Sequence, residues 1–436
     1  MIVTAAKKSL KSLYFRQVLT LTAGTTLAQA IPIVIAPILT RFYSPNDFAL
    51  LSLYLAVAAI FSVVATARYE LAVLLPESDR DGMNILVLSL LIALLISAIS
   101  LGLIFLFNGK IAETLGNKKL ADWLYFIPLS ILATGTYRTL SYWANRKIQY
   151  KRMAIAKVSQ TIATGTVNTA GGIANATGGC LILGEIIGHS VGALLLSFKM
   201  RSDGCSFREV NIHSMLHNAK KYSDFPKINS LHALVDVVQS SGIVFVISSL
   251  FGGVALGLYA LTMRVLTAPV GLIGSSIAQV FYQKASRAYN DGIEVHSLLV
   301  STTKKLAIVS FPSFTLLALI APDAFALIFG EKWRGAGKYA QLLIPWLALH
   351  FVVMPITQMP LIFGKQKVAF LFGLCGNAIM LLAVFYGGYA NNLELGLTLL
   401  SGCMVVHLSL YFLWLLRLAK KHAVTLKASH QSGAGC

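Results

Sequence analysis

The sequence is short of charge, and of acidic charge above all: 12% of its 436 residues are Asp, Glu, Lys or Arg, and only 17 are acidic. A water-soluble chain carries about 25% charged residues, so too little polar surface remains to clothe a soluble protein of this size. A cysteine framework is missing as well. Cys180, Cys205, Cys375, Cys403 and Cys436 stand at no metal-ligand spacing, which implies neither a zinc site nor a disulfide scaffold. There is no Gly-Lys-Ser/Thr phosphate loop for ATP, and Gly171-Gly172 and Gly178-Gly179 lie inside or between apolar stretches. The longest hydrophilic connection, 200–227, is too short for a soluble catalytic domain. No Ser/His/Asp or paired-carboxylate set offers itself for catalysis, and no cofactor is implied.

What is present is hydrophobic: 56% of the residues are apolar or aromatic, with a mean hydropathy of +0.72. This is the composition of an all-α integral membrane protein. A bilayer core about 30 Å thick takes roughly 20 apolar residues of helix. The chain offers twelve such stretches, near 18–40, 47–67, 83–107, 122–144, 155–175, 179–199, 228–250, 254–281, 304–329, 339–363, 368–387 and 395–416. Lys7, Lys8, Lys11 and Arg16 ahead of the first stretch resemble a signal peptide. That stretch, however, runs to Thr40 without a small-residue cleavage site, and reads as a retained span.

The basic excess, 36 Lys and Arg and a net charge of +19, fits the positive-inside bias and contact with anionic membrane lipids. No basic run is interleaved with aromatics, so nucleic acid is not a partner. With both termini cytoplasmic, the opposite connections hold only Arg41, Lys110, Lys118, Lys119, Lys332, Arg334 and Lys338, while Arg138, Lys157 and Arg264 fall within spans. The expected organisation is a cytoplasmic N-terminus 1–17, a first lobe 18–199 and a cytoplasmic connection 200–227. A second lobe 228–416 and a cytoplasmic tail 417–436 follow. Faint echoes relate the halves: Phe48–Leu53 resembles Leu256–Leu261, and Leu124–Pro128 resembles Leu342–Pro345. Such repeats are usual in secondary transporters, where two lobes enclose a cavity.

Ionisable groups inside spans are expensive and mark function by default. Arg264 lies about ten residues, or about 15 Å, into its span. Its face carries small residues at Gly257, Ala260, Ala268, Gly271 and Ser275. A guanidinium there suits a phosphate bidentately, or else pairs with a carboxylate for structure, Asp236 first among them. His232, Asp236, Gln239 and Ser240 share one helical face suited to sugar hydroxyls, to a titrating proton site, or to plain interhelical hydrogen bonding. Arg138 sits with Thr134, Ser141 and Tyr142, lining a cavity or snorkelling to the interface. Thr161, Thr164, Asn168 and Asn175 form a polar stripe for cavity lining or helix packing. Gly184, Gly188 and Gly192 mark a close helix contact, and beside them Glu185, with His189, is a candidate for coupling to a proton or sodium ion.

Two motifs are more specific. One runs Pro37-Ile38-Leu39-Thr40-Arg41-Phe42-Tyr43-Ser44-Pro45-Asn46-Asp47-Phe48, and the other Ala67-Arg68-Tyr69-Glu70-Leu71-Ala72-Val73-Leu74-Leu75-Pro76. Together they resemble the opening of Wzx-type polysaccharide flippases (O-antigen transporters) of the multidrug/oligosaccharidyl-lipid/polysaccharide exporter superfamily, with Ala49 where that pattern has glycine. The resemblance implies a MATE-like fold of about twelve transmembrane helices in two six-helix lobes. It implies movement of an undecaprenyl-pyrophosphate-linked oligosaccharide across the bacterial inner membrane, by alternating access with ion coupling. Membrane lipids, a polysaccharide polymerase and a chain-length regulator are the implied partners. The motif residues themselves read as structural: Pro45 and Asp47 open the second span, and Arg68 and Glu70 pair or contact lipid at its end.

The expected substrate-binding set is Arg264, Arg138, His232, Asp236, Gln239, Thr161, Thr164 and Asn168, and the ion-coupling set is Asp236 and Glu185. A drug/cation antiporter of the same superfamily would favour acidic groups in its cavity, against the mid-span arginines here. A glycan polymerase or ligase would carry a large periplasmic loop, which this chain does not offer.

Overall fold

The computed structural model describes residues 2–174, 177–198 and 210–433, with side chains described over 20–174, 177–198 and 210–421. Among the described residues every regular element is a helix. In hydrocarbon that is the economical solution, because a helix satisfies its backbone polar groups within itself. In chain order the main helices are α1 (Ile2–Phe42), α2 (Pro45–Val64), α3 (Asp79–Thr114), α4 (Ile127–Arg146), α5 (Tyr150–Ile173) and α6 (Gly178–Phe198). They continue with α7 (Ile212–Lys221), α8 (Ser230–Asn290), α9 (Val295–Phe329), α10 (Arg334–Val353), α11 (Gln366–Tyr389) and α12 (Leu393–Gly433).

Nine helical segments among the described residues are long and apolar enough to cross a membrane, and helix occupies each of the twelve expected stretches. The difference has two causes. The expected spans 228–250 and 254–281 form one helical run, broken only at Gly252, whose φ of 81° and ψ of −179° are open to glycine alone. The fourth and fifth spans, α4 and α5, are long enough, at 20 and 24 residues, to extend about 30 and about 36 Å. Their polar residues keep them below the hydropathy of a generic span. Those of α4 line the site described below, and Lys157 of α5 acts on it.

The chain divides into two compact units, Met1–Gly257 and Leu258–Cys436. The connection expected to separate the lobes, 200–227, lies partly outside the described residues. The segment Ser230–Gly257, placed by sequence in the second lobe, groups with the first unit. Its contacts explain why. Ser241 Oγ donates to Ala56 O at 3.2 Å and Ser248 Oγ to Leu115 O at 2.6 Å. Gly257 lies so close to α2 that a Cβ there would stand 1.8 Å from Pro45 O.

The first motif folds as a cap. Ser44 is the N-cap of α2, and the Asp47 carboxylate accepts from Ser44 N at 2.9 Å and from Ser44 Oγ at 2.6 Å. The other Asp47 oxygen accepts the Gly178 N–H at 2.8 Å, so one side chain fastens the starts of both α2 and α6. Asp47→Ala is expected to destabilise the protein by about 2 kcal/mol. Thermal unfolding of the detergent-solubilised protein would read this directly, and an unchanged midpoint would deny Asp47 that role. Cys180, Cys375 and Cys403 are free thiols, while Cys205 and Cys436 lie outside the described residues.

Candidate functional site

Helix α4 presents Ser130, Thr134 and Arg138 at four-residue spacing, hence on one face. With Leu55, Ala58, Ala59 and Ser62 of α2, and Glu185, Ile186 and His189 of α6, they line a cavity of about 270 Å³ inside the first unit. The small residues on α2 leave the space, and α4 and α6 supply the polar groups. Tyr54 OH and Ser130 Oγ are hydrogen-bonded at 2.6 Å along this wall.

Arg138 does not snorkel. Its Nη1 donates to Ser62 O at 3.2 Å, one of the last carbonyls of α2. A guanidinium has five N–H donors, so one such bond orients it and leaves donors for an anion. His189 Nδ1 lies 2.9 Å from the Glu185 backbone carbonyl. A carbonyl only accepts, so the proton sits on Nδ1 and Nε2 is the basic nitrogen. Tyr137 meets the His189 ring edge-on, with centroids 6.0 Å apart. Lys157 of α5 stands over the Tyr137 ring at 5.7 Å and donates to Gln160 Oε1 at 3.2 Å. Arg138, Lys157 and Glu185 all act on His189 at Coulombic range. Two cations against one carboxylate leave the neighbourhood positive.

The second motif adjoins this cluster. Ala67 and Arg68 take left-handed backbone conformations, with φ of 47° and 61°, costly for residues with a Cβ. The turn carries Glu70 inward to 1% exposure. There it pairs with Arg68 at 3.6 Å, accepts a hydrogen bond from Thr66 Oγ1, and acts electrostatically on Arg138. Lipid contact is therefore closed to Glu70, and the motif places an internal ion pair beside Arg138.

Of the expected site residues, the structure brings Arg138 and Glu185 together. Thr164 and Asn168 turn to the glycine stripe of α6. A Cβ at Gly184 would stand 1.9 Å from Asn168 Oδ1, and one at Gly188 2.0 Å from Thr164 Oγ1, so this face is taken up by helix packing. Thr161 Oγ1 donates to Lys157 O of its own helix. Asn175 lies outside the described residues. His232 and Asp236 face each other at 3.3 Å with side chains more than half exposed, and neither lines this cavity. Gln239 is half-buried on the same helix; Arg264 is half-buried in the second unit, and each has an interaction partner. In the sequence Lys157 marks only a basic group within a span, and no site residue. Yet it begins the stripe continued by Thr161, Thr164 and Asn168 at helical spacing, and that position is its signal in the sequence. Among the described residues no group of three or more His, Cys, Asp or Glu is placed to hold a metal ion.

A family profile described as polysaccharide biosynthesis protein matches residues 38–338. The lipopolysaccharide biosynthesis protein WzxC of Escherichia coli (strain K12) is 19% identical over 381 residues, covering 86% of this chain and 75% of that protein. Against two further curated relatives the match spans only 50% and 40% of their length. Among solved structures, the lipid II flippase MurJ in an inward closed conformation has a TM-score of 0.73 at 14% identity, covering 95% of this chain and 93% of that one. An inward-facing multidrug resistance MATE family transporter of the MOP superfamily has a TM-score of 0.70 at 13% identity, covering 92% and 96%. At these identities the two structures establish a shared MATE-like fold.

Proposed function

Because the chain belongs to the polysaccharide biosynthesis protein family, we propose that it flips an undecaprenyl-pyrophosphate-linked oligosaccharide, an O-antigen or related repeat unit, across the bacterial inner membrane. The observation that carries this reading is the cavity of the first unit, with Arg138 and Glu185 on its wall and a second cation, Lys157, acting on the same cluster. A diphosphate-sugar headgroup does not cross hydrocarbon unaided, since its charges would lose water without gaining partners. A guanidinium tethered at one nitrogen and free at others supplies such partners in a fixed geometry. Arg264 in the second unit is the other candidate cation. A cation antiporter would need the opposite balance of charge. The two carboxylates of this region, Glu185 and Glu70, are each set among basic groups.

Alternating access and ion coupling belong to the same proposal. Glu185 is the residue for coupling: its carboxylate shares the cavity with His189 and Arg138, so a proton arriving there alters the charge an anion meets. Deletion of the gene should cause inner-leaflet lipid-linked glycan to build up, and the wild-type gene should clear it. Glu185→Gln should still flip substrate, but with transport no longer responding to the proton gradient. Normal surface glycan with no inner-leaflet build-up in the deletion strain would overturn the proposal.

A further inference from the structure

Helix α7, Ile212–Lys221, has ten residues and extends about 15 Å, too short to cross a bilayer. The first unit fixes its rotation. The Asn218 amide, on a residue 3% exposed, donates to Asp81 Oδ1 at 3.1 Å. Asn84 Oδ1 accepts the Asn211 N–H at 3.0 Å, Tyr69 OH donates to Ala219 O at 2.9 Å, and Met215 is buried on the same side. Asp81 and Asn84 belong to the first turns of α3, where its charged start, Asp79-Arg80-Asp81, gives way to the apolar run from Met83. Helix α7 therefore lies at the level where α3 enters hydrocarbon. At about 100° per residue, its exposed surface has two parts. Ile212 and Leu216, 73% and 64% exposed, form an aliphatic edge beside the buried face. Lys220, His213, His217 and Lys221, all exposed, follow round the helix from that edge. Lys221 Nζ stands 5.3 Å from the ring centroid of Tyr222. Over 210–229 the lysines Lys220, Lys221 and Lys227 stand against a single carboxylate, Asp224.

Lysines at the end of a helix complement its dipole, but that leaves the aliphatic edge in water. A soluble polyanion bound to the lysines has the same defect, since the apolar edge stays uncovered. An anionic membrane surface meets both parts at once. The aliphatic edge enters the boundary between headgroups and acyl chains, while the lysines and the histidine N–H groups reach phosphate oxygens. We infer that α7 is an interfacial anchor that binds anionic phospholipid, with Ile212 and Leu216 among the acyl chains and Lys220 and Lys221 on the phosphates. The anchor concerns the lipid around the protein and stands apart from the transported substrate.

The test is fluorescence quenching by lipids brominated on their acyl chains, which quench an indole only on contact. Full-length protein carrying Leu216→Trp is reconstituted in vesicles of brominated phosphatidylcholine, and the signal of wild-type protein in the same vesicles is subtracted. Brominated phosphatidylcholine should quench the introduced indole. Unlabelled phosphatidylglycerol should then displace it with a preference of about fivefold or more, the contribution of one basic residue near an anionic surface. Lys220→Gln combined with Lys221→Gln on the same background should bring that preference below about twofold, while quenching by brominated phosphatidylcholine persists. Ile212→Trp is the second probe position should Leu216→Trp fail to fold, with the same expectations. Three results would overturn the inference: an introduced indole that no brominated lipid quenches, equal affinity for the two lipids, or a preference that survives the loss of both lysines.

Discussion

Arg138→Ala is expected to lower flipping by about two orders of magnitude while the protein still inserts and accumulates. The figure follows from the loss of about 3 kcal/mol when one partner of a charged, partly desolvated contact is truncated, at about 1.4 kcal/mol per tenfold. The geometry makes Arg138 the sensitive position. It lines the cavity, Ser62 O holds one of its nitrogens, and Glu70 and Arg68 act on it from the strained turn. Removing it leaves Glu185 in a cavity wall that carries no other lysine or arginine among the described residues. Arg138→Lys keeps the charge but loses the planar fork, and should fall between, at about a tenfold loss. The measurement is inner-leaflet lipid-linked glycan in a deletion strain carrying each variant, normalised to protein level. Full restoration by Arg138→Ala would remove this guanidinium from the mechanism.

Gly184→Ala should destabilise the fold by about 2–3 kcal/mol through overpacking, and Asn168→Ala in the same chain should recover most of that loss. The added Cβ would stand 1.9 Å from Asn168 Oδ1, with Thr164 O at 3.1 Å behind it. The side chain is the obstacle that can be deleted. Asn168 Oδ1 is buried with no hydrogen-bond partner, so removing this acceptor leaves no donor stranded. The double-mutant cycle in thermal unfolding isolates the contact, with an expected coupling of about 2 kcal/mol. Simple addition of the two single effects would mean that α5 and α6 do not meet at this point.

The polar stripe of α5 shows where sequence reasoning stops. Helical spacing places Lys157, Thr161, Thr164 and Asn168 on one side of the helix, but spacing does not say what that side meets. On spacing alone, cavity lining and helix packing are both open. The structure gives Thr164 and Asn168 to the glycines of α6, and keeps Lys157 over the Tyr137 ring within reach of the charged cluster. His232 and Asp236 follow the same logic: their spacing makes them a pair at 3.3 Å, yet neither lines the first-unit cavity. Glu70 goes the other way. Its motif leaves a pair or a lipid contact open, and the left-handed turn at Ala67 and Arg68 buries Glu70 in the pair with Arg68, away from lipid.

By itself the sequence determined that this is a multi-pass helical membrane protein, where its helices fall, and that cations stand within them. Those properties follow from composition, from run length against bilayer thickness, and from the cost of charge in hydrocarbon, all of which are local along the chain. Only the tertiary structure decided which polar faces share a cavity and which are spent on packing. It also decided that Ser230–Gly257 groups with the first unit. A helical period fixes what lies on one face, whereas the neighbour of that face is set by close packing between segments far apart in the chain.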